Sequence, residues 1–284
     1  MKVAIQGGQA SFHHLAARQY FNGQEFEMAE CRTFRQLCQV LQNGKADRAV
    51  MAIENSLLGS ILPNYALLQE YSFHISGETY LHIRHNLMAL PGQSLKDIRF
   101  VCSHPLALLQ CSEFLEQHPR LRAQESFDTA ESAREIREKL LPGTAAIAGR
   151  LAAERYQLTI LAEEIENVKQ NYTRFLILSR KAVRENGAIA DKTSLNFYLK
   201  HRVGALAEAL DIFRRCGLNL TLIQSLPVPG RPSEYAFQVD LEGERRKSLE
   251  QGIEELRRLS DKIQVLGIYP KGALPHDYSG GKAA

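Results

Sequence analysis

Residues 171–179 read NYTRFLILS, an amide, a phenol, a hydroxyl and a guanidinium set at the mouth of the most apolar run in the chain. The apolar part, Phe175 to Leu178, reads as a buried strand, with a polar knot tied onto its start. Working back from it, short β-type runs alternate with helical patterns: strand 2–6, helix 11–21, strand 26–31, helix 34–43, strand 48–53 and a helix near 61–71. Residues 73–89 form a long, β-rich, extended stretch, and a second series follows at 98–102, 105–117, 122–126, 129–140, 145–148 and 151–156. Such alternation predicts βαβ units and mostly parallel sheet. Two α/β lobes joined by extended chain predict a cleft, with NYTRFLILS returning to the first lobe as its closing strand.

Downstream, RKAVRENGAIAD (180–191) loses all periodicity, so 1–180 reads as one two-lobed domain and 181–191 as a linker. Strand 193–199, helix 205–216, strands 219–227 and 233–242, helix 248–259 and strand 263–269 then spell βαββαβ. Leu206, Leu210 and Phe213 on the first helix, and Leu249, Ile253 and Leu256 on the second, recur at helical spacing. Residues 192–270 are therefore expected to form a ferredoxin-like module. Residues 271–284, ending PHDYSGGKAA, contain little to bury and read as a loose tail.

Composition narrows the function. A chain of 284 residues that is 44% hydrophobic and 24% charged is neither disordered nor fibrous. A formal charge of +3 gives no nucleic-acid footprint. Cys31, Cys38, Cys102, Cys111 and Cys216 are odd in number and form no CxxC pair, the usage of reduced thiols in a cytoplasmic protein. MKVAIQGG is too short in apolar residues for a signal-peptide core, and no run approaches a membrane span.

In open α/β sheets, ligands bind beyond the carboxyl ends of strands. The loops there are GGQAS (7–11), ENSLLGS (54–60), SHP (103–105) and Asp128-Thr129, each placing Ser, Thr, Asn or Asp near a helix start, where free N–H groups receive carboxylates. GGQAS has neither GxGxxG spacing nor a GK[ST] ending, and no GxSxG elbow occurs. His82 and His85, three apart on a strand, face opposite ways, so no metal is expected. Of His13 and His14, one should face the cleft entrance and the other solvent. Neither Cys102 nor Cys111 comes with an indicated base. The site should work with hydroxyls, amides, charges and fixed dipoles, without a cofactor.

ENSLLGS, SHPLALLQC, DTAESA and NYTRFLIL, in this order and followed by a βαββαβ module containing GALAEALDIF and VLGIYPKG, resemble prephenate dehydratase over essentially the whole chain. The resemblance implies a periplasmic-binding-protein-like catalytic part and an ACT module that senses L-phenylalanine. It implies a carbon–oxygen lyase of phenylalanine biosynthesis, in which prephenate loses carbon dioxide and water to give phenylpyruvate. Thr173 is then the group that hydrogen-bonds and helps protonate the leaving hydroxyl, with Asn171 fixing the loop and Glu54 orienting the site or sharing the proton. Ser11, Asn55, Ser56, Ser103, His104, Gln110, Thr129 and Arg174 would hold substrate. Gly204, Ala205, Leu206, Asn219, Leu220, Gln224 and Ser225 would hold the effector.

Two departures stand out. GGQASFHH replaces the family's GP-x-GT-[FY]-S, and Gln224-Ser225-Leu226-Pro227 replaces Glu-Ser-Arg-Pro, which predicts weaker coupling to phenylalanine. Patterning from Lys2 onward predicts no chorismate mutase segment ahead of the catalytic lobes. The uncovered sheet face and edges of an ACT module predict a homodimer or homotetramer. Two alternatives stay open: arogenate dehydratase, separated from the first reading by one pocket contact to an amine or a carbonyl, and a silent ligand-sensing protein.

Overall fold

The computed structural model describes residues 1–183, 190–199, 202–228 and 231–274. Most of the expected linker 181–191 and of the expected tail 271–284 lies outside these residues. The first α/β series is β1 (Lys2–Gln6), α1 (Phe12–Tyr20), β2 (Glu27–Cys31), α2 (Phe34–Gln42), β3 (Arg48–Asn55), β4 (Gly59–Ser60) and α3 (Leu62–Tyr71). β5 (His74–His82) and β6 (Asn86–Ala89) follow, then β7 (Phe100–Ser103), α4 (Pro105–Gln110), α5 (Ser112–Gln117), β8 (Arg122–Glu125), α6 (Thr129–Glu138), β9 (Thr144–Ala148), α7 (Arg150–Tyr156), β10 (Thr159–Ala162) and β11 (Tyr172–Ser179). The last part is β12 (Lys192–Leu199), α8 (Ala205–Arg215), β13 (Asn219–Val228), β14 (Arg231–Glu242), α9 (Arg246–Leu259) and β15 (Ser260–Tyr269).

Three sheets result. The first has the order β2-β1-β3-β11-β5 with β4 on β3, the second β10-β6-β9-β7-β8, and the third β13-β14-β12-β15. NYTRFLILS is the expected late strand of the first sheet. The stretch 73–89 is not one strand: it breaks at Ile83–His85, and its halves β5 and β6 join different sheets. The second sheet is also less parallel than expected, because β6 runs antiparallel to both β9 and the unanticipated β10. The helix expected over 105–117 divides at Cys111, whose N–H reaches both Ala107 and Leu108 carbonyls at φ −114°, ψ 20°.

Burial follows strand alternation. In the second sheet Leu87, Ala89, Val101, Ala145 and Ile147 pack on one face, while Met88, Ala146 and Ala148 pack on the other. A sheet buried on both faces explains why these segments read as continuous apolar runs. Side-chain caps set the helix starts: Ser11 accepts from the His14 N–H, Thr33 from Gln36, and Asp128 from Ala130 and Glu131.

The chain forms two compact units, one built mainly from Met1–Asn64 and Thr79–Phe175, the other from Tyr65–Glu78 and Leu176–Ala273. Within the second, the βαββαβ topology stands as read, with Leu195, Phe197, Phe213, Leu249 and Leu256 in its core. Its opposite sheet face is covered by this same chain, where the sequence pointed to a second copy. Gly267 passes so close to β5 that a Cβ there would lie 2.1 Å from the Ile75 carbonyl oxygen, and Gln69 donates to the Tyr198 hydroxyl at 3.0 Å. On that face Lys192 Nζ is buried between Glu78 (3.0 Å) and Glu242 (3.3 Å). Among the described residues, no helix is long and apolar enough to cross a membrane.

Removing the Lys192 ammonium would take a buried cation from between the Glu78 and Glu242 carboxylates. Lys192→Ala should cost roughly 3–5 kcal/mol in denaturant unfolding, whereas Lys2→Ala, which breaks an exposed pair, should cost under about 1 kcal/mol. Equal midpoints for the two variants would contradict this.

Candidate functional site

Within the first unit, β3 and β11 present their ends to a cavity of about 490 Å³. Strand alternation decides which side chains reach it. On β11, Thr173 and Phe175 line the cavity, so Tyr172 and Arg174 project from the opposite face; on β3, Asn55 lines it and Glu54 does not. Arg174 and Glu54 meet each other instead, at 3.9 Å, with the arginine buried. Arg174, expected to hold substrate, is thus placed beside Glu54 and outside the cavity lining.

Asn55 organises the polar mouth. Its Nδ2 donates to Asn171 Oδ1 at 2.7 Å and to Thr173 Oγ1 at 2.9 Å, with the Tyr172 carbonyl at 3.2 Å. Its Oδ1 accepts from the Leu57 and Leu58 N–H groups, turning the chain after β3. Because the Thr173 oxygen accepts from an amide, its own proton is left to donate toward the cavity. Asn171 is fully buried and donates to Gln110 Oε1 at 3.2 Å, which also receives His85 Nε2 at 3.0 Å. Ser56 clips the same segment, donating to the Gln170 carbonyl and accepting from the Tyr172 N–H.

Of the residues expected at the site, Asn55, His104, Gln110, Thr129 and Thr173 line the cavity. Ser11, Ser56, Ser103, Asn171, Glu54 and Arg174 do not. Ser11 is spent on the α1 cap, and Ser103 donates to the Ile147 carbonyl at 2.6 Å, fastening β7 to β9. The expected effector residues lie elsewhere: Gly204 (φ +83°), Ala205 and Leu206 at the start of α8, and Asn219, Leu220, Gln224 and Ser225 on the edge strand β13.

Phe12, His13, Arg32, Phe34, His85, Asp128 and Phe175 also line the cavity but were not singled out as ligands. Asp128 had carried a signal as a polar residue at a helix start, and His13 as one of the adjacent pair of which one was expected at the cleft entrance. His13 is buried, edge-on to Phe175 at 5.1 Å between ring centroids, and its Nε2 accepts from the Ala52 N–H at 3.4 Å. His14 is half-buried and accepts from the Ala10 N–H. Burial lowers the His13 pKa to about 3 and also depresses that of His85, so both imidazoles are neutral. Arg32 is the only guanidinium in the cavity wall, and among the described residues it makes no ion pair. The cysteines are poor nucleophiles: burial pushes Cys111 up to about 12 and raises Cys102.

The prephenate dehydratase family profile matches residues 3–183. The bifunctional chorismate mutase/prephenate dehydratase of Enterobacter agglomerans is 35% identical over 272 residues, covering 95% of this chain and 70% of that protein. The crystal structure of prephenate dehydratase from Arthrobacter aurescens in complex with L-Phe is similar at a TM-score of 0.85 and 29% identity, over 95% of this chain and 90% of that one. GqqA, described as a novel type of quorum quenching acylase, is similar at a TM-score of 0.84 and 34% identity, over 95% and 98%.

The buried neutral imidazole has a consequence for stability. Below pH 6.5 the unfolded chain binds a proton at His13 that the folded chain refuses until about pH 3. Unfolding free energy should therefore fall as pH drops through that window, by up to about 1.4 kcal/mol per pH unit from this residue. His13→Gln should remove that part of the slope in urea melts between pH 4.5 and 7.5; an unchanged slope would contradict it.

Proposed function

The chain belongs to the prephenate dehydratase family, and from that premise we propose that the cavity below Asn55 carries out the decarboxylating dehydration of prephenate to phenylpyruvate in L-phenylalanine biosynthesis. Residues 1–180 hold the reaction and 192–270 its regulation. Prephenate, a dianion, takes up one proton and gives phenylpyruvate, carbon dioxide and water. The bond from the ring to its carboxylate breaks, its electron pair enters the ring, and the opposite carbon–oxygen bond breaks as hydroxide takes the proton.

The observation that carries this reading is the Thr173 hydroxyl, which accepts from Asn55 Nδ2 and has its proton to offer. A threonine hydroxyl is a weak acid, and the amide donor stabilises negative charge developing on its oxygen, which is what hydrogen bonding to a departing hydroxide requires. Asn171 and Gln110 hold Asn55 and His85 in place around it. Phe12, Phe34 and Phe175 offer an apolar wall to the ring, which gains aromatic character as carbon dioxide leaves. Arg32 supplies one guanidinium for one carboxylate. That asymmetry suits the chemistry, because tight charge pairing of the departing carboxylate would oppose its loss as a neutral gas.

The acylase neighbour supplies the rival reading. Thr173 as a nucleophile would need a base to take its proton, yet its bonded partner is an amide donor. Thr173→Ala should lower kcat with prephenate by roughly 10²–10³, the cost of one missing donor aimed at developing charge, and Thr173→Ser by less. Ultraviolet detection of phenylpyruvate checks both. Wild-type rates in Thr173→Ala, or release of acid from an N-acyl substrate without any phenylpyruvate, would overturn the assignment.

L-Phenylalanine acts on the βαββαβ module, where Gly204 at positive φ has open space in place of a side chain, letting a ligand backbone approach the start of α8. Pairing along the β13 edge makes the cytoplasmic protein a homodimer or homotetramer. Light scattering at micromolar concentration should give at least the dimer mass, and millimolar phenylalanine should inhibit. A monomer, or no inhibition, would remove this part of the reading.

A further inference from the structure

The buried imidazole of His13 lines the cavity and has no part in the steps above. It is fixed on three sides. Phe175 meets it edge-on at 5.1 Å between ring centroids, Phe34 packs on it at 5.4 Å, and Nε2 accepts from the Ala52 N–H at 3.4 Å. Burial lowers its pKa to about 3, so the ring is neutral and carries one proton. With Nε2 an acceptor, that proton sits on Nδ1. Among the described residues Nδ1 has no hydrogen-bond partner, and it is not one of the polar atoms sealed from solvent without one. It is therefore a donor open to the cavity that His13 lines.

Position selects what this donor can meet. Thr173 and Phe175 line the cavity from one face of β11, two residues and so about 7 Å apart. With the leaving oxygen of prephenate at the Thr173 hydroxyl, the ring carboxylate lies on the carbon directly across the ring from it. A ring laid along β11 against Phe175 brings that carboxylate to the Phe175 end, where His13 stands. His13 is also the second residue of α1, so an anion there meets the positive end of the helix dipole. Arg32, two residues before Phe34, lines the cavity as well. One charged donor and one neutral donor thus face two carboxylates.

Resting on the dehydratase reading, we propose that His13 Nδ1 donates to the ring carboxylate of prephenate, the group that leaves as carbon dioxide, while Arg32 pairs with the side-chain carboxylate, which stays. The division follows from what each carboxylate becomes. The ring carboxylate ends as a neutral gas, so a cation beside it would bind the ground state more tightly than the transition state and slow the step. A neutral donor places the group and gives up less as its charge moves into the ring. The retained carboxylate keeps its charge throughout, so a guanidinium there binds both states alike. His13 neither gains nor loses a proton: the ring–carboxylate bond breaks, its electron pair enters the ring, and hydroxide leaves with the one added proton.

Phenylpyruvate keeps the side-chain carboxylate and lacks the ring carboxylate, which supplies the test. Prephenate turnover and product inhibition by phenylpyruvate are measured on the full chain for wild type, His13→Gln and His13→Asn. Glutamine keeps an acceptor for the Ala52 N–H and removes the donor at the Nδ1 position; asparagine keeps that donor and removes the acceptor. In His13→Gln the KM for prephenate should rise about tenfold or more, the size of one hydrogen bond to a charged group, with the phenylpyruvate inhibition constant unchanged. His13→Asn should keep a KM close to that of wild type. An unchanged KM in His13→Gln overturns the proposal. So does equal weakening of both ligands, which a damaged pocket or a contact to the retained carboxylate would give, and so does a His13→Asn chain as impaired as His13→Gln. A wild-type chain that makes no phenylpyruvate from prephenate would instead defeat the dehydratase reading, and the role of His13 with it.

Discussion

The amide of Asn55 is the interaction on which the rest of the site depends. One side chain at the end of β3 satisfies the turn that follows it, through the Leu57 and Leu58 N–H groups, and the start of β11, through Asn171 and Thr173. Buried polar atoms are costly when unpaired, so this network specifies one arrangement of the two strand ends. The polar knot before the apolar strand exists because those strand ends form the cavity wall while their continuations are core. The Ile83 N–H closes the arrangement from the other side by donating to the Asn171 carbonyl at 2.7 Å.

The cavity wall is mostly neutral. Two of its histidines, His13 and His85, are buried and kept below their ordinary pKa, and its fixed charges are one guanidinium and one carboxylate. A site for a dianion built this way relies on shape, aromatic surface and a few aimed donors more than on charge pairing. Arg174, which has the chemistry of a carboxylate clamp, lies 3.9 Å from Glu54 and does not line the cavity.

In the second unit, close approach replaces separation. Gly267 permits a backbone contact that no other residue allows, and Lys192 is neutralised between two glutamates. β12 is buried along both faces, its apolar residues against α8 and α9 and its polar ones, Ser194 and Asn196 among them, on the other side. Ser194 meets the Asp240 carboxylate and the Tyr269 hydroxyl there. A polar strand face is ordinarily a sign of solvent, which is why it was open to reading as an exposed surface awaiting a partner.

By itself the sequence determined the class and order of nearly every element, because periodicity and cap residues are local: Ser11, Thr33 and Asp128 start their helices as their chemistry dictates. It also singled out Thr173 and Asn55, and of the four loops it expected at the site those at 54–60, 103–105 and 128–129 line the cavity while none of 7–11 does. It did not show β10, or the break between β5 and β6, since a strand's partner and direction depend on chain far away. Tertiary structure alone decided which polar residues face the cavity and which are spent on scaffolding. Ser11 and Ser103 carry the right functional groups but bond to the protein backbone, whereas Arg32, His13 and Asp128 are brought to the wall by strands and helices remote in sequence. Composition shows what a side chain can do; the identity of its nearest partner is a property of the folded packing.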